Sequence, residues 1–91
     1  MKRRELYTVI LDHNDGTYVL QVSGNSPNEA MTNWANEVSD ENLASWGLTR
    51  AELRDLSNDD PAPLDGCVNV WCVTSSVSAG LALVNIVATR S

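Results

Sequence analysis

Phenylalanine is absent, and the entire aromatic content is three Trp and two Tyr. A core built from this chain must be filled mainly by Val, Leu, Ile and Ala, with Trp supplying the bulk. Cysteine is scarce: Cys67 and Cys72 stand five apart and cannot form a disulfide framework. In the strand that their surroundings predict, their Cα atoms fall roughly 16 Å apart, beyond bridging reach. Reduced thiols in the cytoplasm are the expectation. Long apolar runs are missing as well. The stretch 6–11 contains Thr8 and stops at Asp12, too short for a membrane span or for a signal core behind Met1-Lys2-Arg3-Arg4. A single histidine, His13, leaves little material for base-assisted chemistry.

Acidic residues vanish after Asp65. All twelve acids lie between Glu5 and Asp65, where Arg50 and Arg54 are the only bases, so that segment carries −10 against −6 for the whole chain. Such a segment repels nucleic acid phosphate and favours a cationic partner, besides keeping the protein in solution. Ninety-one residues at 43% hydrophobic content fit one small domain, 1–91, with a modest stability margin, and exclude disorder of the whole chain.

What is present is strand and helix punctuation. Tyr7-Thr8-Val9-Ile10-Leu11 and Thr17-Tyr18-Val19-Leu20-Gln21-Val22-Ser23 are β-rich runs around Asp12-His13-Asn14-Asp15-Gly16. Asp15-Gly16 predicts a two-residue hairpin turn, with Leu11 facing Leu20, Val9 facing Val22, and Tyr7, Val9, Leu11, Tyr18, Leu20 and Val22 on one face. Ser26-Pro27-Asn28-Glu29 carries a cap, a first-turn proline and the capping-box Glu, followed by Ala30, Met31, Trp34, Ala35 and Val38 on one helical stripe. Thr49-Arg50-Ala51-Glu52 starts a further helix, with Leu48 and Leu53 placed as a hydrophobic staple and Gly47 as a stop for what precedes. Residues 58–66 read as an acidic, proline-bearing loop. Residues 68–74 and 81–89 read as a second hairpin, apolar on both faces, joined by the small residues 74–80.

The candidate chemistries fail on spacing. Asp12 to Gly16 invites a calcium loop, but Gly falls at the fifth position and Ser23 at the twelfth, so a hairpin turn is the better reading. Cys67, Cys72 and His13 make a poor zinc set, because an odd separation along a strand points the thiols to opposite faces. A buried Cys72 and a turn-proximal Cys67 are expected instead. Ser75, Ser76 and Ser78 lack a neighbouring base, and no phosphate or dinucleotide fingerprint occurs. No catalytic, metal or cofactor residue is assigned, and the chain is read as not an enzyme. Trp46 and Trp71 remain as partner anchors if exposed, and as core if not.

Tyr7-Thr8-Val9-Ile10, Gly16-Thr17-Tyr18-Val19-Leu20-Gln21-Val22 and Ser26-Pro27-Asn28-Glu29-Ala30 together resemble the first hairpin and helix of HicB-type antitoxins. That family pairs a partly degraded ribonuclease-H-like β-β-β-α-β domain with a small cationic RNase toxin. The resemblance therefore implies a non-enzymatic chain that binds a basic protein. The family carries a further strand where Gly24-Asn25 here leads straight into the helix cap. The chain also resembles small bacterial hairpin–helix–hairpin proteins with a run like Asn69-Val70-Trp71-Cys72 in the third strand, a likeness that implies no activity.

The expected fold is α+β: a four-stranded, mainly antiparallel sheet in the order β-β-α-(α)-β-β along the chain, with the helix packed on one face. The expected function is a small acidic protein-interaction module, antitoxin-like or immunity-like, using Trp46, Trp71, Asp59, Asp60 and Asp65 toward a basic protein partner. A homodimer through the apolar sheet face is also expected; nucleic acid and membrane are not. The alternative is a small-molecule-binding domain with its pocket between sheet and helix near Trp34.

Overall fold

Alternation of apolar and polar side chains over the first run makes one face of a strand, because successive Cβ atoms point to opposite sides. The computed structural model describes residues 5–13, 16–77 and 80–89. Strand β1 (Glu5–His13) buries Tyr7, Val9, Leu11 and His13, and leaves Leu6, Thr8, Ile10 and Asp12 half-buried on its other side. Strand β2 (Gly16–Gly24) pairs with it antiparallel, Leu11 opposite Tyr18 and Val9 opposite Leu20, closing at His13 opposite Gly16.

The expected register is thus corrected by two residues, and Gly16 belongs to the strand. Of the predicted turn pair Asp15-Gly16, Asp15 lies outside the described residues, as does Asn14. A two-residue displacement leaves every side chain on its predicted face, so the hydrophobic pattern could not distinguish the two pairings. Gly16 also leaves room for a side chain of its own strand. A Cβ there would run into the ring and hydroxyl of Tyr18, which folds back over it.

Helix α1 (Pro27–Glu37) starts as its sequence predicts: Ser26 Oγ accepts the Glu29 N–H at 3.1 Å. The Glu29 carboxylate takes the N–H of Asn25, also at 3.1 Å, so the reciprocal bond reaches one residue behind the cap. Ala30, Met31, Trp34, Ala35 and the cap residue Val38 are all buried. Residues 40–46 form a helix of their own, α2 (Asp40–Trp46), capped by Ser39 and ended by Gly47 in the left-handed region at φ 73°. The Leu48 N–H returns to the Leu43 carbonyl at 3.1 Å, a closure that a Cβ-bearing residue at position 47 would make with strain. Helix α3 (Arg50–Asn58) opens on the predicted capping box of Thr49 and Glu52, and both staple residues, Leu48 and Leu53, are buried.

The four-strand expectation is corrected to five. Within the loop after α3, Ala62–Pro63 form a short strand, β3, opposite Cys72 and Trp71. Strand β4 (Val70–Val77) begins two residues later than predicted because Asn69 sits at φ 63°, a conformation that interrupts a strand and that Asn tolerates better than most residues. It continues through Ser75 and Ser76, expected in the connection, to pair with β5 (Gly80–Thr89). Sheet order is β2-β1-β5-β4-β3, every neighbour antiparallel. The first and last strands therefore lie side by side in the middle, which explains why β5 is apolar on both faces.

One core joins the inner face of this sheet to the helices. Tyr7, Val9, Leu11, Val22, Val73, Val84 and Ile86 belong to the same buried cluster as Met31, Trp34, Leu43, Leu53 and Leu56. Fully burying a side chain of this size contributes roughly 1.5–3 kcal/mol. Among the described residues no element covers the outer face, and no helix is long and apolar enough to cross a membrane.

Candidate interaction surfaces

The fold sorts the charged residues before it positions any site. Nine of the described acids, from Glu29 to Asp65, lie on the helices, their caps or the loops that join them to the sheet. Arg50 is engaged locally: it donates to Asp40 at 2.8 Å and to the Ala35 carbonyl at 2.9 Å. That ion pair is largely exposed, where such pairs are worth about 0–1 kcal/mol. Among the described residues, the outer face of the sheet carries one carboxylate, Asp12, which accepts from Thr17 Oγ1 at 2.6 Å.

Four of the five residues singled out from sequence come together at one edge. Asp59 caps the end of α3, and Asp60 follows it and accepts from Asn28 Nδ2 at 3.1 Å, which ties this loop to the start of α1. Asp65 lies just beyond β3, in the turn where the Cys67 N–H reaches the Leu64 carbonyl. The three carboxylates, all exposed, therefore flank the two-residue strand β3 at both ends. Trp71 is the sheet neighbour of Pro63 in that strand. It points to the helix side, half-buried, with its ring 6.2 Å from that of Tyr7. Burial, then the charges of Glu5 and Glu29, hold the Tyr7 phenol above its ordinary value near 10.

Trp46 goes elsewhere. It is 7% exposed and stacks on Tyr18, ring centroids 4.9 Å apart, at the opposite edge of the sheet. Tyr18 thus lies between Trp46 and the bare backbone of Gly16. As it stands, Trp46 contributes core, not an exposed anchor. Trp34 is likewise enclosed in the core. The cysteines are both free: Cys67 is exposed, and Cys72, expected to be buried, is half-buried on the open outer face. No group of three or more His, Cys, Asp or Glu among the described residues is placed to hold a metal.

Two features had no clear signal in the sequence. His13 is 3% exposed, with Nδ1 3.4 Å from the Leu81 carbonyl and, among the described residues, no partner for Nε2. Strand alternation from Tyr7 places it inward, but a polar residue beside a predicted turn reads as surface. The second feature is the free edge of β2, which depends on strand order. No protein-family model matches this chain, and no curated protein or solved structure matches it either.

Proposed function

We propose that the protein is a non-enzymatic interaction module, antitoxin-like or immunity-like, that meets a basic protein partner in the cytoplasm through its acidic helical side. The observation that carries this reading is the clustering of Asp59, Asp60 and Asp65 around β3, next to Trp71 and outside the Arg50–Asp40 ion pair. Carboxylates concentrated on one side of a small domain create a field that raises encounter rates with a cationic surface. Trp71, half-buried at the same edge, supplies an aromatic body against which a partner's side chain can pack. A second copy of the chain meeting the sheet completes this reading.

The test is kinetic. The chain is immobilised, a partner is captured from host lysate and identified, and its association is compared with that to a D59N/D60N/D65N variant. The expected result is a basic partner whose association slows about tenfold or more in the variant, with dissociation little changed, and whose wild-type rate falls with added salt. An unchanged association rate in the variant sinks the electrostatic reading.

A further inference from the structure

We infer that the free edge of β2 is a pairing edge for a second copy of this chain, joined antiparallel about a two-fold axis at Val19. The inference is independent of the acidic surface and places self-association at the edge of the sheet instead of its face.

Hydrogen-bond parity shows which groups are open. The Ala88 N–H donates to the Asn69 carbonyl at 2.9 Å, so the even residues of β5 turn their main-chain groups toward β4. In an antiparallel ladder these directions alternate residue by residue. The odd residues of β5 must then bond to the even residues of β1, and the odd residues of β1 to the even residues of β2. That leaves Thr17, Val19, Gln21 and Ser23 turned outward. The Ser23 carbonyl is taken by Asn33 Nδ2 from α1 at 2.7 Å, as this parity requires. Thr17, Val19 and Gln21 keep their N–H and C=O groups open along the edge, and all three are exposed. Among the described residues no strand lies beyond β2.

The two edges of the sheet are built differently. On the far side, β3 is two residues long and contains Pro63, which has no N–H to offer. On the near side, β2 runs nine residues as Gly-Thr-Tyr-Val-Leu-Gln-Val-Ser-Gly, without a charge, a proline or a bulge. Long edges of that composition pair with another strand unless something blocks them.

A second copy is the occupant that fits. The chain carries −6, yet this strand has no charge, so two copies can approach here without bringing acids face to face. With Val19 opposite Val19 of the second copy, Thr17 faces Gln21, and each exchanges both main-chain groups, about six hydrogen bonds in all. This register leaves the occupied Ser23 carbonyl out of the ladder. It also sets Val19, 59% exposed, against its own copy, and half-buried Tyr18 against Leu20. The outer face is the weaker candidate, because Gln21, Thr8 and Thr89 form a side-chain hydrogen-bond chain across it. An edge buries little area, so the dimer belongs to the weak, micromolar class.

The experiment combines sedimentation with amide exchange on the wild-type chain from about 5 µM to about 1 mM, bracketing that class. The expected mass rises from 9.9 kDa toward twice that value. Over the same range the amides of Thr17, Val19 and Gln21 gain at least tenfold protection, while those of Tyr18 and Leu20, bonded to β1, are protected throughout. Val19→Pro removes an outward N–H without touching the β1 ladder and is expected to give a folded monomer. A mass of 9.9 kDa at every concentration overturns the proposal. So does a dimer in which the three outward amides stay fast, or one dissolved by Leu83→Lys on the outer face but not by Val19→Pro.

Discussion

The two faces of the sheet have similar strand composition but opposite fates. The inner face contributes Leu11, Ala82 and Ile86 to one buried cluster with Ala30, Trp34 and Ala35 of α1. On the outer face, Leu6, Ile10, Leu83 and Val87 shield one another only partly, and Leu81 stays 63% exposed. Nearly all the acids follow the helices, so the covered side is also the charged side. The difference teaches that apolar content alone does not mark a core. A core needs a second layer that turns its own apolar stripe toward the strands, and α1 supplies one.

Truncation should break or uphold that contrast most clearly. Trp34→Ala is expected to cost about 3–5 kcal/mol in urea unfolding, since it opens a large cavity in a packed interior. Leu83→Ala, on the open face, should cost about 1 kcal/mol or less, as a half-buried side chain loses little on truncation. Equal costs would mean that the outer face is covered in solution. Gly16→Ala comes next. The added methyl must displace the Tyr18 ring and with it the stack on Trp46, for about 1–3 kcal/mol of overpacking and an altered Trp emission spectrum. Thr49→Ala removes one half of the α3 capping box and should cost about 1 kcal/mol, whatever happens to the sheet.

Tyr7→Phe is the smallest effect at neutral pH and the most specific at high pH. The folded chain holds the Tyr7 proton more tightly than the unfolded chain does. Above pH about 10 the unfolded state therefore loses its proton first, and stability falls as pH rises through the folded-state value. Below the ordinary value the contribution is fully present. Chemical denaturation of wild type and variant across pH 8–11 should show a shallower alkaline loss in Tyr7→Phe. Parallel curves would mean that the phenol is solvated in the folded state.

Local chemistry made the helix starts and the α1 stripe legible, because caps, staples and a 3.6-residue period act over a few residues. Ser26, Thr49 and Gly47 each do what their types predict. Strand faces were legible for the same reason, but register was not: pairings displaced by two residues present the same pattern, and Gly16 suited both. The short β3 had no signal at all. Ala62-Pro63 pairs with β4, and the Leu64 N–H extends that pairing to the Val70 carbonyl, within a stretch that its own composition describes as irregular. The acidic cluster was legible as composition, whereas its assembly around β3 beside Trp71 depended on that pairing. The separation of Trp46 from Trp71, to opposite edges of the sheet, was likewise invisible in the one-dimensional order.

By itself the chain's sequence determined an α+β composition, the inward residues of β1 and β2, the caps of the helices and a strongly acidic middle. Those properties reside in residue type and short spacing, where a neighbour three or four positions away is the whole environment. Tertiary structure alone decided that β1 and β5 lie together at the centre, that β2 is left with an open edge, and that His13 is enclosed. Each of these depends on contacts between segments far apart in the chain, as far as Leu6 from Thr89, whose closure is set by the shape of the whole core.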